Sequence, residues 1–406
     1  MFRERKRIFV VGYHQSPFGK LGAMSIPAMI GAAAEGAAAD AGIETASIDV
    51  GSIAGLIVPI LNDQTLMGGL LAAVPGMAGK NIECVENACA SGGQAILSVV
   101  YKLLLGFGDV GIAIGIEKMR NDEGKMDGVL IGKALGTASH PENREGKVFI
   151  FPHLFAEVMD RYMKEWGVTE EELAHVPVTM YRYANMNPLA QMNKVQMSVD
   201  KVMTLDGPNR YVVDGLPLKT FECSQVSDGY AAIILATQEG IDRLGIAPDK
   251  VVELVGFGAA VDPLSVTGRD VIRPAAAYKA MNAAYDMAGI HAENIDVAEV
   301  HDCFGIMGAI AVEILGLADP GKGVFYYVDG RARIDGNGVP INTSGGLIAK
   351  GHPVGATGVA MVGWNYRQLT GQVPDGLKVK DPEYAASFNI GGPICASVTT
   401  VLRKVR

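Results

Sequence analysis

Apolar residues in this chain follow two alternating rhythms: short continuous runs stopped by Gly or Pro, and longer stretches in which small apolar residues recur at helical spacing. The first run, Ile8-Phe9-Val10-Val11, reads as a strand that breaks at Gly12 and Pro17 and leads into an alanine-rich helix. That helix ends Ala38-Ala39-Asp40-Ala41-Gly42-Ile43 and continues to Ser47-Ile48-Asp49-Val50. The same order of events returns later. Val251 to Pro263 is a second strand, and its helix ends Tyr285-Asp286-Met287-Ala288-Gly289-Ile290 before Asn294-Ile295-Asp296-Val297. In both copies a Gly follows the last helical residue, where a left-handed conformation closes the helix before a new strand.

A second pair of matching signals lies further along each copy. Ala88-Cys89-Ala90-Ser91-Gly92-Gly93 opens an apolar helix predicted over 94–105, and Gly351-His352-Pro353-Val354-Gly355 opens one predicted over 356–369. A cysteine and a histidine therefore occupy corresponding helix starts. Strands alternating with helices, written twice, predict an α/β fold of two related halves. The boundaries read as a first half over 1–117, an insertion over 118–219, a return to the first half over 220–250 and a second half over 251–406.

Composition narrows the class. With 406 residues, 49% hydrophobic and 19% charged, the chain can bury one large core or two medium ones, and 51 glycines without fixed period exclude a collagen-like protein. A net charge of −9 argues against a nucleic-acid partner, which needs a basic face. Five cysteines without regular spacing make no disulfide framework, and no CxxC pair suggests zinc. The basic start Met1 to Arg7 runs straight into a strand without the apolar stretch of a signal peptide, no run approaches a membrane span, and Lys404-Val405-Arg406 is not a peroxisomal SKL signal. The cytoplasm is the expected compartment.

The insertion differs from its flanks. It carries thirteen Lys/Arg against fourteen Asp/Glu and nine of the 18 methionines. A Met-rich surface adapts to a long flexible acyl or pantetheine chain, and Arg144, Lys147, Arg161, Lys164, Arg182, Lys194 and Arg210 could meet phosphates. The other reading is a helical cap whose methionines fill its own core.

Three loops carry the candidate chemistry. Cys89, among small residues at a helix start, is expected to be held as a reactive thiolate by the positive helix end, with room for an incoming carbonyl. His352 lies in a run of glycines, Gly345-Gly346 to Gly358, too dense for packing alone. His301-Asp302-Cys303-Phe304 follows the strand Val297-Ala298-Glu299-Val300, at the carboxyl end where α/β sheets place ligand chemistry. His301 and Cys303 have no partner at metal-ligand spacing, so no metal is expected. Phe388-Asn389-Ile390-Gly391-Gly392-Pro393 reads as a strand entering a glycine turn whose N–H groups suit an oxyanion. Ser91 lacks the GxSxG setting of a serine hydrolase.

Asn-Ala-Cys-Ala-Ser-Gly around Cys89, His-Asp-Cys-Phe from His301, and Ser-Gly-Gly-Leu-Ile-Ala-Lys-Gly-His-Pro-Val-Gly-Ala-Thr-Gly around His352 resemble the three signature loops of the thiolase superfamily, most of all its sterol-carrier-protein-type and archaeal members. The likeness spans nearly the whole chain, including Cys223 to Gly229. It implies the five-layered αβαβα fold, a homodimer or dimer of dimers, coenzyme A as substrate with no tightly bound cofactor, and a place in lipid and fatty-acid metabolism. By motif, Cys89 corresponds to the acylated nucleophile, His352 to its base, and His301 to the holder of an oxyanion donor. Gly391 corresponds to the residue whose N–H pairs with that of Cys89. Asn389 stands where thiolases commonly keep an acid/base cysteine, which makes Cys303 the expected replacement. Two other functions fit the same residues: a decarboxylating Cys-His-His condensing enzyme, or a thiolase-like subunit working with an OB-fold protein that binds the coenzyme. Cys303 separates the first of these, because decarboxylation needs no base at C2.

Overall fold

The apolar runs become strands because their β-branched residues are buried on both faces between helices. The computed structural model describes residues 6–405, so the parts of the terminal readings that rest on 1–5 and 406 lie outside it. Among the described residues the strands are β1 (Ile8–Gln15), β2 (Val50–Ala54), β3 (Asn81–Val85), β4 (Val110–Glu117), β5 (Gly229–Thr237), β6 (Val252–Val261), β7 (Val297–Val300), β8 (Tyr384–Gly391) and β9 (Ala396–Lys404). They form one mixed sheet in the order β3-β2-β4-β5-β1-β6-β9-β8-β7. Its two halves mirror each other about the short β1–β6 pairing, Ile8–Val10 against Val252–Leu254.

The helices that position the site are α1 (Ile26–Ala41), α2 (Ser91–Leu104), α3 (Gly128–Gly136), α4 (Ile150–Trp166), α5 (His175–Ala184), α6 (Ala275–Ala288), α7 (Gly305–Ile314) and α8 (Val354–Thr370). Helix α1 packs on β1 and β5, and α6 packs on β6 and β9, as outer layers. Between the half-sheets lie α2 and α8, touching each other and strands of both halves, which gives the five αβαβα layers.

The internal duplication reaches individual hydrogen bonds. Gly42 and Gly289 both adopt left-handed conformations, at φ 74° and 67°, and donate to the last turns of α1 and α6. Asp49 Oδ2 accepts the N–H groups of Asp109 and Val110 at the start of β4, each at 2.9 Å. Asp296 Oδ2 accepts those of Glu383 and Tyr384 at the start of β8, at 2.7 and 2.9 Å.

Two boundaries differ from expectation. The first strand does not stop at Gly12; a bulge between Val10 and Gly12 carries it on to Gln15, and β6 has the matching bulge between Leu254 and Gly256. The two central helices start earlier than their glycines suggested, at Ser91 and Val354. Gly92, Gly93, Gly355 and Gly358 lie inside the first turns, where lack of a side chain lets the backbones touch; a Cβ on Gly92 would sit 2.8 Å from the Gly355 carbonyl oxygen. The insertion 118–219 contains helices and irregular chain but no β-strand among its described residues, after which the chain re-enters the first half as β5, between β1 and β4. No helix among the described residues is long and apolar enough to cross a membrane.

The paired carboxylates give a test of the duplication. Asp49→Ala and Asp296→Ala each strip the acceptor from two backbone N–H groups, and each is expected to lower unfolding free energy by about 1–3 kcal/mol in urea titration. A loss confined to one of them would show that the two halves are not held in the same way.

Candidate active site

Cys89 and His352 each stand two residues before a central helix, and the glycine contact between α2 and α8 brings these two ends together. Ala88, just before Cys89, has φ +50°, a left-handed conformation rare for a residue with a side chain and most often found at functional turns. Ser91 holds this turn: its hydroxyl donates to the Ala88 carbonyl at 2.5 Å and accepts the Asn87 N–H at 2.8 Å, so it serves the backbone. On the other side, the His352 N–H donates to Ser227 Oγ at 2.9 Å, and that hydroxyl donates to Gln191 Oε1 at 2.6 Å. Glu117, at the end of β4, accepts the Leu56, Ile57 and Gly355 N–H groups at 3.0–3.1 Å and so ties down the start of α8.

His301 arrives from the end of β7. Asn342, at φ +55°, brackets that strand end by exchanging two side-chain hydrogen bonds with Val300, at 2.6 and 3.0 Å. The imidazoles of His301 and His352 meet edge to face with ring centres 5.0 Å apart, and Cys89 Sγ and one ring nitrogen of each histidine lie within 4.8 Å of one another. Sequence spacing offered no metal-ligating group, yet the fold gathers one sulfur and two imidazoles from three separate loops.

The neighbours fix which ring nitrogen of each histidine carries the proton. Asn389 Nδ2 faces the Cys89 carbonyl at 3.1 Å, which only accepts, so the amide nitrogen must point that way. The same nitrogen lies 3.0 Å from His301 Nδ1, which therefore accepts and leaves the proton on Nε2. Thr357 Oγ1 gives its hydrogen to the Pro353 carbonyl at 3.0 Å and accepts from His352 Nδ1–H at 2.7 Å. His352 Nε2 is thus left with a free lone pair. One histidine is set as a donor and the other as a base.

Burial dominates the electrostatics. It pushes the Cys89 thiol up to about 12, helped by the Glu117 carboxylate and opposed by the N–H groups of Gly392 and of Cys89 itself. Burial, with Lys350 nearby, pulls His352 down to about 3, and burial with His352 nearby pulls His301 well below the usual imidazole range. Burial also raises the Cys303 thiol well above its ordinary value, with Cys89 and Asp302 adding to the rise. Burial therefore works against the expected thiolate, and the N–H groups that face the sulfur work for it.

A cavity of about 230 Å³ opens over these groups, and Cys89, His301, Cys303 and His352 all line it. The expected donor Gly391 does not; it ends β8 paired with Ala396, where a Cβ would sit 2.2 Å from the Asn87 carbonyl oxygen. Gly392, turned by its φ of +61°, lines the cavity and presents its N–H to Cys89 instead.

None of the seven basic residues named for the phosphates lines the cavity. Arg144 donates to the Gly136 and Ser139 carbonyls at 3.0 and 3.3 Å, Lys147 faces Glu157 at 4.0 Å, and Arg182 pairs with Asp335 at 2.8 Å. Lys194 and Arg210 are exposed. Of the methionines, Met119 and Met126 line the cavity, whereas Met159 and Met180 fill the core. The hydrogen bonds by which Asn389 and Thr357 meet the two imidazoles escaped sequence reasoning, as did the anchoring role of Glu117, whose one signal there was a charge ending the apolar run Val110 to Ile116. Gly392 was legible only as part of the glycine turn after Phe388.

Comparison with known proteins identifies the family. Residues 8–239 match the thiolase N-terminal domain and residues 258–404 the thiolase C-terminal domain. The chain is 36% identical over 386 residues to an acetyl-CoA acetyltransferase of Methanothermobacter thermautotrophicus, covering 95% of this chain and 96% of that protein. It is 32% identical to bovine sterol carrier protein 2, covering 99% of this chain and 73% of that protein. It is 31% identical to the benzoylsuccinyl-CoA thiolase subunit BbsB of Thauera aromatica, covering 78% of this chain and 77% of that one. Among solved structures, the Ltp2-ChsH2(DUF35) aldolase superposes with a TM-score of 0.80 at 20% identity, covering 98% of both chains. Human mitochondrial 3-ketoacyl-CoA thiolase superposes at 0.70 and 16%, covering 99% of both. With both thiolase domains matched in order across nearly its whole length, this chain belongs to the thiolase family of acyltransferases.

Proposed function

We propose that this protein is a working thiolase that moves an acyl group between Cys89 and coenzyme A and makes or breaks the C2–C3 bond of a 3-ketoacyl thioester. The observation that carries the reading is the different hydrogen-bond partner that each histidine has, Asn389 for His301 and Thr357 for His352. His352 Nε2 takes the Cys89 proton as the sulfur attacks the substrate carbonyl, so the thiolate exists only while it reacts. The N–H groups of Cys89 and Gly392 donate to the oxygen that becomes negative on the Cys89-bound carbonyl. His301 Nε2–H stabilises the enolate oxygen of the second thioester, and Cys303 exchanges the proton at its C2. In thiolysis the C2–C3 bond breaks, the enolate takes a proton from Cys303, and coenzyme A then releases the acyl group from Cys89.

Cys303 in the cavity favours this reading over a decarboxylating condensing enzyme, which generates its carbanion without a base. We retain Arg144 and Lys147, in the segment leading to Phe149 at the cavity mouth, as the cations for coenzyme phosphates, with the exposed Lys194 and Arg210 next. The open edge of β3, paired on one side only, is a fitting surface for a homodimer. An OB-fold or DUF35-type acyl-CoA-binding partner stays within the proposal, since the Ltp2 neighbour is named together with ChsH2(DUF35).

In Cys303→Ala, acylation of Cys89 seen by intact mass is expected to survive, while deuterium exchange at C2 and carbon–carbon bond formation fall by roughly 10²-fold or more. Wild-type exchange in that variant would move the role to a histidine and favour decarboxylation. Cys89→Ala should abolish turnover.

Because the Cys89 thiol is pushed up, its neutral form prevails through neutral pH, and labelling by iodoacetamide should climb about tenfold per pH unit between roughly pH 7 and 9. The exposed Cys84 is expected to react first at neutrality. A labelling rate for Cys89 that levels off near neutral pH would reveal a standing thiolate–imidazolium pair and overturn the neutral-pair mechanism.

A further inference from the structure

The two loops that carry His301 and His352 share a buried charge cluster that lies outside the cavity lining and that the proposed mechanism does not use. Glu299 of β7 stands two residues before His301, Lys350 stands two residues before His352, and each is 1% exposed. Glu299 Oε1 accepts the Ser344 N–H at 3.1 Å, and its Oε2 accepts the Ser344 hydroxyl at 2.5 Å. Asp302 Oδ1 accepts the Leu347 N–H at 2.7 Å. The His301 loop thus grips, at two points, the stretch that leads to His352.

Lys350 ends the π-helical turn Gly346–Lys350. Its ammonium stands 3.7 Å from Glu299 Oε2, lies 5.9 Å from the centre of the Phe18 ring and finds no hydrogen-bond acceptor among the described residues. The grip on Ser344 and Leu347 is made without it. Stability is a weak reason for such a group, since apolar side chains of similar volume commonly replace buried ion pairs without loss.

What the ammonium alone supplies is charge. Glu299 accepts on both oxygens, which favours its ionised form, whereas Asp302 Oδ2 meets no donor and burial raises that carboxyl to about 7. In a dry interior a lone carboxylate two residues behind His301 would oppose negative charge building on an oxygen held by that imidazole.

We propose that Lys350 is a positioning residue that acts through Glu299: it cancels the charge of the carboxylate anchoring Ser344, so that negative charge can build on the enolate oxygen at His301. This rests on the thiolase reading.

The test compares thiolysis of acetoacetyl-CoA by the intact wild type, Lys350→Met and the double variant Lys350→Met/Glu299→Gln. Methionine keeps an unbranched apolar stem and strands the Glu299 carboxylate. In Lys350→Met, kcat is expected to fall about 10-fold or more while KM changes less than about 2-fold, because neither residue lines the cavity. Adding Glu299→Gln, which keeps an acceptor and a donor for Ser344, should bring kcat back to within about 3-fold of wild type. A packing role would leave the double variant as poor as the single one or poorer. Wild-type kcat in Lys350→Met, a loss carried by KM, or no recovery in the double variant overturns the inference and leaves the thiolase reading intact. If the wild type neither cleaves the thioester nor is acylated on Cys89 by intact mass, both fall together. Should Lys350→Met fail to fold, a folded and active double variant supports the pairing, and an unfolded one overturns it.

Discussion

The contact between the first turns of α2 and α8 is the constraint on which the site depends. Helices ordinarily pack with axes 8–10 Å apart, a spacing set by intervening side chains. Here Gly92 and Gly93 face Gly355 and Gly358 with backbone against backbone. Cys89 and His352 each lie two residues upstream, so any widening of this crossing would separate thiol from imidazole directly. Helical glycine costs about 1 kcal/mol relative to alanine, and this chain accepts it four times within two first turns. Glu117 reinforces the crossing by holding the Gly355 N–H together with those of Leu56 and Ile57, while burial raises its own carboxyl to about 7.

The same enclosure that fixes distances also sets charge. Removing water disfavours the Cys89 thiolate and both imidazolium forms, but it strengthens each fixed donor aimed at a developing oxyanion. A neutral resting pair with preset tautomers is consistent with both effects: Asn389 holds His301 as a donor and Thr357 holds His352 as a base. Asn389 orients His301, and a second thiol, Cys303, lies on the same loop as that histidine.

The insertion supplies a wall that neither half of the duplication could provide. Its entry is anchored by Asp228, which accepts the Met119 and Arg120 N–H groups at 2.7 and 3.0 Å. From there α3 and the start of α4 lay apolar side chains over Cys89. The cluster of thiols and imidazoles therefore belongs to the duplicated core, and the apolar wall that faces it to the segment interrupting it.

Local rhythm was enough to determine much of this protein. Strand and helix order, the paired Gly42 and Gly289 caps, the α/β class and the duplication follow from apolar periodicity and Gly placement, which act over a few residues. The loops of Cys89, His301 and His352 were legible because their densities of Gly, Cys and His exceed what packing requires. What only tertiary structure decided arises where segments distant in sequence meet. The helix starts fell earlier because glycines that read as turns serve a helix–helix contact. Gly392 replaced Gly391 because the direction of an N–H depends on the turn around it. The upward push on the Cys89 thiol came from burial, which is a property of the whole fold. Arg182 was accounted for by a carboxylate that no spacing along the chain could reveal.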